Sequence, residues 1–282
     1  MSILLYGSTG WIGPQIPIKT IPATSRLDNY GSIGEELDRV RPSHVILCAG
    51  LTGSPNIDWC EDHKTEVIET NVIGTVVLAS ECHRRGIHLT YVGTGCIYEY
   101  DRDHPIGGPG FTEDEEPNFA KSYYSKTKII TEKILREYDN VLILRLRMPL
   151  SDDLHPRNFI TKISRYPKVI DVPNSMSVLH DLLPLIPVMM ERRLTGVYNF
   201  VNPGVISHNQ ILDLYKQYID PQFNYTNFTL EEQAKVLKAG RSNNHLDASK
   251  LCQVAPVPPI QESIVHLFER MAESMKRANP ES

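Results

Sequence analysis

The segment Ile3-Leu-Leu-Tyr-Gly-Ser-Thr-Gly-Trp-Ile-Gly13 decides the fold of this chain. Its first four residues form a short apolar run, which predicts a buried strand over residues 3–6. Glycines directly after a strand, at this spacing, permit a tight turn and let backbone amides approach a pyrophosphate near a helix N-terminus. A simple glycine turn without a ligand is the alternative interpretation. The predicted cofactor-binding residues of this loop are Gly7, Gly10, Trp11, Ile12 and Gly13.

The rest of the first half alternates short apolar runs with helical patterns, which is typical of βαβ units. Further strands are predicted at 44–48, 88–93 and 141–146, and helices are predicted at 33–40, 71–85 and 122–138. We therefore expect an α/β protein with a Rossmann doubly wound parallel sheet.

Prolines become frequent after Met148-Pro149 and divide the chain into shorter pieces. We expect residues 1–150 to form the NADP-binding Rossmann domain, together with a returning strand near 197–200. Residues 151–282 are then mainly a smaller, interleaved C-terminal substrate-binding region.

Charge and cysteine content exclude several classes of function. The chain has 34 acidic and 29 basic residues and a net charge of −5, so it offers no basic surface for nucleic acid or an anionic membrane. Five cysteines, without a C-x-x-C or H-E-x-x-H motif, argue against a disulfide framework and a metal site. Because no signal peptide or membrane span is recognisable, we expect a cytoplasmic protein with a small-molecule partner.

Three further positions are candidates for acid/base chemistry beside the cofactor. Tyr124 and Lys128 are four residues apart and share one helical face, where the ammonium is expected to lower the pKa of the phenol. Thr94 follows a predicted strand and presents a hydroxyl at the same sheet edge. A surface Tyr/Lys pair is the alternative. The small residues Ala49 and Gly50 at another strand end predict further contact with the cofactor.

This combination resembles the extended short-chain dehydrogenases/reductases. The matching motifs are G-x-x-G-x-x-G at 7–13, Asn71-Val-Ile-Gly-Thr75, Thr94 and Tyr124-x-x-x-Lys128. Within them the chain is similar to the dTDP-4-dehydrorhamnose reductase group, and most of all to the eukaryotic nucleotide-rhamnose epimerase/reductases. The segments that carry this closer resemblance include Thr94-Gly-Cys-Ile-Tyr-Glu-Tyr100, Pro156-Arg-Asn-Phe-Ile-Thr-Lys162 and Asn202-Pro-Gly-Val-Ile-Ser-His-Asn209.

The resemblance implies an NADPH-dependent 3,5-epimerase/4-reductase, with NADH left open as cofactor. Its substrate would be UDP- or dTDP-4-keto-6-deoxyglucose and its product the nucleotide-rhamnose. Thr94 and Tyr124 would stabilise an enolate beside the C4 oxygen. By resemblance, Cys96 and Lys162 are the epimerising acid/base groups; a small buried cysteine and a solvated helix lysine are the alternatives.

The resemblance also assigns residues to the ends of the ligands. Thr52, Asn158, Arg241 and Asn243 would bind the nucleotide-sugar, with Arg241 clamping the diphosphate; an arginine without a ligand is the alternative. Arg26 would meet an adenosine 2′-phosphate, which favours NADP. A homodimer, or association with a 4,6-dehydratase, remains open.

The chain departs from the family pattern just after the glycine loop. Only twelve residues separate Gly13 from Arg26, and they include Pro14, Pro17 and Pro22. We predict a short or distorted first helix, and Pro22 would interrupt an interior strand. This motivates a second hypothesis, a non-catalytic NADP-binding subunit like the regulatory subunit of methionine adenosyltransferase. A third, an epimerase or dehydratase of the same superfamily, is weaker, because Gly95-Cys96 rather than Asp-Glu follows the threonine.

Overall fold

A parallel six-stranded sheet organises the molecule, which is described here by a computed structural model covering residues 1–278. The order across this sheet is β2-β1-β3-β4-β5-β8, and a separate two-stranded sheet pairs β6 with β7. The strands are β1 (Ile3–Tyr6), β2 (Ile21–Pro22), β3 (His44–Leu47), β4 (His88–Thr94), β5 (Val141–Leu146), β6 (Pro149–Leu150), β7 (Ser177–Val178) and β8 (Gly196–Phe200).

Helices connect these strands and cover both faces of the large sheet. One 3-10 turn (Gly13–Gln15) and one π-helical turn (Glu69–Gly74) accompany them. The α-helices are α1 (Tyr30–Val40), α2 (Trp59–Asp62), α3 (Lys64–Ile68), α4 (Thr75–Arg84), α5 (Tyr123–Leu135), α6 (Phe159–Ile163), α7 (Leu179–Leu182), α8 (Leu185–Glu191), α9 (His208–Tyr218), α10 (Leu230–Val236), α11 (Ser249–Cys252) and α12 (Ile260–Ala278).

The strands are apolar on both faces because helices bury both faces of a parallel sheet. In β1, Leu4 packs into one core cluster and Ile3 and Leu5 into another, so alternate side chains serve opposite faces. All six strands are parallel to their neighbours. The predicted α/β Rossmann architecture is confirmed.

The segment after the glycine loop is as short as the sequence predicted. In place of a full first helix the chain makes the single 3-10 turn, with Pro14 in its first turn. Pro22 does not lie in an interior strand: β2 has two exposed residues and lies at the edge of the sheet. An edge strand has no outer neighbour that needs a hydrogen bond from Pro22, so the proline is tolerated there.

The part of the chain that returns to the large sheet is longer than the one strand expected. α7, α8 and β8 all contribute to the core on one face of the sheet, through residues such as Leu182 and Met189. A separate core, which includes Leu150, Met176 and Phe268, holds β6, β7, α6, α9 and α12 together. The chain therefore leaves the sheet after β5 and rejoins it at α7.

The structure also bears on the expectations from composition. All five cysteines are free thiols. Within residues 1–278, no helix has the length and apolar content needed to cross a membrane. No group of three or more His, Cys, Asp or Glu side chains suited to a metal ion occurs in that same range.

Candidate active site

A cavity with a volume of about 990 Å³ opens at the carboxyl ends of the central strands. In a doubly wound sheet this is where ligands bind, because the loops after neighbouring strands diverge there. The loops that follow β1, β3, β4 and β5 all line it, together with residues of the C-terminal region. The five predicted catalytic residues all reach this cavity: Thr94, Cys96, Tyr124, Lys128 and Lys162.

The glycine loop leaves no space for side chains at two of its three glycines. Gly7 has a φ of +94°, and a Cβ there would lie 2.8 Å from the amide nitrogen of Ala49. A Cβ on Gly13 would lie 2.6 Å from the Gly7 carbonyl oxygen. Within residues 1–278, the backbone N–H groups of Trp11 and Ile12 have no hydrogen-bond acceptor. The loop thus fits a pyrophosphate, which would accept hydrogen bonds from such free amides.

A buried glutamate fixes the far end of the cavity, a feature the sequence did not indicate. One carboxylate oxygen of Glu36 accepts hydrogen bonds from the backbone N–H and hydroxyl of Thr24, at 2.7 and 2.6 Å. The other accepts from the same two groups of Ser25. Burial raises the pKa of Glu36, but these hydrogen bonds together lower it to about 2. The carboxylate, which also pairs with Arg39 at 3.1 Å, therefore holds the segment that leads to Arg26.

Arg26 lies at the rim of the cavity with a largely exposed side chain. Its guanidinium makes two hydrogen bonds to the Asp28 carboxylate, at 3.0 and 3.1 Å. An exposed pair of this kind is held weakly. A ligand phosphate at this rim would therefore compete with Asp28 for the guanidinium.

Tyr124 and Lys128 lie on one face of α5 and are both buried against the cavity. The Lys128 ammonium lies 5.7 Å from the centre of the Tyr124 ring and donates a hydrogen bond to the Tyr91 hydroxyl at 2.9 Å. Tyr91, on β4, is a partner that the sequence did not indicate.

The expected lowering of the Tyr124 pKa was wrong for the protein without ligands. Burial raises that pKa to about 12 and outweighs the opposing effects of the Lys128 charge and the Thr94 hydroxyl. Burial likewise lowers the pKa of Lys128. Tyr124 therefore carries its proton at neutral pH and can donate it.

The turn after β4 holds Thr94 and Cys96 next to each other. The backbone N–H of Cys96 donates to the Thr94 hydroxyl at 3.1 Å, and the Cys96 carbonyl accepts from the Ser125 hydroxyl at 2.7 Å. Lys162 reaches the same cavity from α6, where burial, and to a smaller extent the Arg157 charge, lowers its pKa. Two groups able to exchange protons thus enter one cavity from different elements.

The predicted substrate residues divide into three that line the cavity and one that does not. Thr52, Arg241 and Asn243 line it, and Arg241 donates to the Asp58 carboxylate at 2.9 Å. The assignment of Asn158 to substrate is not supported by its position. Its side chain is fully buried at the start of α6, where its oxygen accepts from the backbone N–H of Ile160.

The side-chain nitrogen of Asn158 is also fully hydrogen-bonded within the chain. It donates to the carbonyl oxygens of Ser151 and Asp153, at 2.7 and 2.6 Å. All of its hydrogen-bonding capacity is spent on shaping the chain before α6. Asn158 therefore acts by positioning the helix that carries Lys162.

Besides Glu36 and Tyr91, reasoning from the sequence missed two further buried residues near the site. Arg147 follows β5 and donates to the Cys96 sulfur at 3.3 Å; its signal was an arginine in an otherwise apolar stretch. His208, the first residue of α9, lines the cavity, and its Nε2 is buried without a partner among the described residues. Burial lowers the pKa of His208 to about 4, so its ring is neutral at physiological pH.

Comparison with known proteins identifies the family of the chain. Residues 19–166 match the family described as NAD dependent epimerase/dehydratase. The bifunctional dTDP-4-dehydrorhamnose 3,5-epimerase/dTDP-4-dehydrorhamnose reductase of Arabidopsis thaliana is 53% identical over 94% of this chain and 91% of that protein. The trifunctional UDP-glucose 4,6-dehydratase/UDP-4-keto-6-deoxy-D-glucose 3,5-epimerase/UDP-4-keto-L-rhamnose-reductase of the same plant is 52% identical over 94% of this chain, which spans 41% of that protein.

A solved structure extends the similarity to the whole fold. The crystal structure of the L780 UDP-rhamnose synthase from Acanthamoeba polyphaga mimivirus superposes with a TM-score of 0.91. The two sequences are 37% identical, and the superposition covers 96% of this chain and 99% of that one. The chain described here belongs to the NAD dependent epimerase/dehydratase family.

Proposed function

We propose that this protein is an NADPH-dependent 3,5-epimerase/4-reductase that converts UDP- or dTDP-4-keto-6-deoxyglucose into the nucleotide-rhamnose. The observation that carries the proposal is that the cavity behind the glycine loop holds two sets of residues at once. Thr94, Tyr124 and Lys128 suit the reduction of a ketone, and Cys96 and Lys162 suit proton exchange beside it. The names of the Arabidopsis and mimivirus relatives support the same reaction.

The glycine loop and the rim of the cavity would hold the cofactor. Gly7 and Gly13 allow the tight turn of the loop against its own backbone, and Trp11 and Ile12 offer backbone N–H groups without an acceptor in residues 1–278 to the cofactor's pyrophosphate. When bound, NADPH supplies the hydride that reduces C4. The carboxylate of Glu36 is occupied by its own chain, and Arg26 at the rim favours a 2′-phosphate, so NADPH is preferred to NADH.

In the reduction, the residues of the chain have to deliver one proton to the C4 oxygen. Tyr124 is the donor, because its buried phenol is protonated at neutral pH and faces the cavity. The Lys128 ammonium stabilises the phenolate that remains, and the Thr94 hydroxyl offers a second hydrogen bond to the same oxygen. A purely regulatory subunit would have no need to bury a lysine beside the tyrosine.

In the epimerisation, Cys96 and Lys162 remove and return the protons on the carbons that flank the ketone. Each removal leaves an electron pair that delocalises onto the C4 oxygen, where Tyr124 and Thr94 stabilise it. Because one group enters on the turn after β4 and the other on α6, they approach a sugar in this cavity from different directions. Inversion requires that arrangement, since the proton must return to the opposite face.

We also propose that the protein is a cytoplasmic homodimer. Three isoleucines are exposed on neighbouring turns of the π-helical segment and α5: Ile73, Ile130 and Ile134. Exposed apolar residues grouped in this way are typical of interaction sites, and five free thiols are typical of a reducing compartment. Ile130→Arg should yield a monomer by analytical ultracentrifugation, whereas Ile106→Arg on an exposed loop should not. An unchanged mass for the first variant would favour another partner, such as a 4,6-dehydratase.

One experiment tests the reaction as a whole. The purified protein is incubated with UDP-4-keto-6-deoxyglucose and NADPH in deuterated water, and the product is analysed by NMR. The expected product is UDP-rhamnose with deuterium at C3 and C5, and parallel assays with the dTDP sugar determine the preferred nucleotide. Cys96→Ser should lose the label, and Cys252→Ser, at an exposed site away from the cavity, should keep it.

Two other results would contradict the proposal. A reduced sugar without deuterium would remove Cys96 and Lys162 from the mechanism and leave a simple reductase. Failure to oxidise NADPH with either nucleotide would favour the non-catalytic binding subunit.

A further inference from the structure

Two arginines follow each other on β5 and its extension, at positions 145 and 147, and both are fully buried. Arg145 has the partner that a buried cation requires: the Glu132 carboxylate lies 2.7 Å from its guanidinium, and the pair is shielded from water. Arg147 differs. Within residues 1–278 no carboxylate lies within ion-pair distance of its guanidinium.

The partners of Arg147 are all neutral groups. One terminal nitrogen donates to the Cys96 sulfur at 3.3 Å and to the Ser242 hydroxyl at 3.1 Å. The other donates to the Ser242 carbonyl oxygen at 2.8 Å and to the side-chain oxygen of Asn174. Its Nε has no acceptor within the described chain.

A buried charge without a counter-charge is unfavourable, and this cost needs a compensating role. Three titratable groups face Arg147: Cys96, Tyr100 and His208. Of these, Tyr100 donates its hydroxyl proton to the Pro173 carbonyl, and His208 is neutral. Of these three titratable groups, only Cys96 both contacts the guanidinium and lines the cavity, so Arg147 can act on the site through its sulfur.

We propose that Arg147 is a positioning residue for epimerisation, which holds the Cys96 sulfur toward the sugar and supplies the positive charge that stabilises its thiolate. This inference rests on the proposed function. Arg147 does not line the cavity, so it acts through the sulfur and not on the substrate itself.

The proton transfer that this arrangement serves is balanced within the site. The Cys96 thiolate takes a proton from a carbon beside the C4 ketone: the C–H bond breaks, an S–H bond forms, and the electron pair moves to the C4 oxygen. Burial lowers the pKa of Arg147, and a negative charge on Cys96 is the largest effect that opposes this lowering. As the proton moves, the negative charge passes from the sulfur of Cys96 to the C4 oxygen of the enolate.

The geometry of the turn fixes where the sulfur lies. Gly95 pairs with the end of β5, since its N–H donates to the Leu146 carbonyl at 2.9 Å. A Cβ on Gly95 would lie 2.4 Å from a terminal methyl of the buried Leu246 side chain, which would then have to shift. The pairing of Gly95 with β5 thus fixes the backbone next to Cys96.

The test measures the reactivity of the thiol and does not depend on turnover. The intact protein is treated with iodoacetamide at pH 7, and alkylation of Cys96 and of the exposed Cys252 is followed by peptide mass spectrometry. In the wild type, Cys96 should react faster than Cys252 despite its lower exposure. Arg147→Gln should slow Cys96 by at least about tenfold and leave Cys252 unchanged. Arg147→Lys keeps a cationic group but only one nitrogen in place of the two that Arg147 uses, so its Cys96 rate should lie between those of the wild type and Arg147→Gln.

The two half-reactions give a second readout on the same variants. Arg147→Gln should lose deuterium exchange at C3 and C5 to a similar extent, and should keep oxidation of UDP-rhamnose by NADP⁺ within about twofold. Retention of that half-reaction shows that the variant is folded. Ser242→Ala, which removes a neutral partner of Arg147, should change neither rate by more than about threefold.

The outcomes separate this inference from the proposed function. Rhamnose formation together with unchanged Cys96 alkylation in Arg147→Gln would overturn the role of Arg147 alone. A wild-type Cys96 that reacts no faster than Cys252 would overturn it too, even where Arg147→Gln fails to fold. If no rhamnose forms but alkylation slows as expected, the proposed function fails and the Arg147–Cys96 pair stands.

Discussion

Replacing Glu36 by glutamine should destabilise the fold by an amount that depends on pH in a defined way. Four hydrogen bonds from Thr24 and Ser25 end on this carboxylate, and they lower its pKa from 4.5 to about 2. At about 1.4 kcal/mol per tenfold change in proton affinity, the charged form contributes about 3 kcal/mol to the free energy of unfolding at neutral pH. Glutamine loses this charge and presents an amide donor to groups that are themselves donors.

The sign of the pH dependence follows from the lowered pKa. Because the folded protein binds this proton more weakly than the unfolded chain, the stabilisation is complete above pH 4.5 and is lost as the pH falls through about 2. The difference between wild type and Glu36→Gln should therefore be largest near neutral pH. It should shrink steadily below pH 4.5.

Urea unfolding followed by tryptophan fluorescence, at a series of pH values, measures this difference directly. Glu35→Gln is the matched control, because Glu35 is the adjacent, exposed glutamate on the same helix. The KM for NADPH should also rise in Glu36→Gln, by at least about threefold, since the segment leading to Arg26 loses its anchor. Equal stability of the variant and wild type at pH 7, or a difference that does not change with pH, would refute this reasoning.

The remaining predictions concern the site itself. Tyr124→Phe should lower the rate of 4-keto reduction by about 10²- to 10⁴-fold without unfolding the protein, whereas Tyr123→Phe should stay near wild type; equal NADPH oxidation rates would exclude Tyr124 as proton donor. Gly13→Ala should abolish NADPH binding in calorimetry, since its Cβ would lie 2.6 Å from a backbone oxygen, while Gly31→Ala, where nothing lies within 4 Å, should bind normally. His208→Phe should raise the KM for the nucleotide-sugar about three- to tenfold and leave that for NADPH unchanged, because His208 lines the cavity and its Nε2 has no partner within residues 1–278. A change confined to NADPH would show that the ring does not contact the sugar.

Local patterns in the sequence were sufficient to predict most of the sheet and many of the residues that line the cavity. The apolar runs predicted five of the strands of the large sheet, because a strand buried on both faces must be apolar along its length. The spacing of Gly7, Gly10 and Gly13 and of Tyr124 and Lys128 depends on local geometry alone, so these residues were recognisable one motif at a time. The short segment after Gly13 was also readable, since prolines act on their own turn.

What the sequence determined by itself was therefore the alternation of strands and helices, the glycine loop and the pair on α5. Only the tertiary structure decided that β2 lies at an edge, that Asn158 caps a helix, that burial raises the Tyr124 pKa, and that Arg147 meets Cys96 and not a carboxylate. The physical reason is common to these four. Each depends on which residues, distant in sequence, surround a side chain in the fold and on how much water they exclude. The residue type and its sequence neighbours do not determine these surroundings.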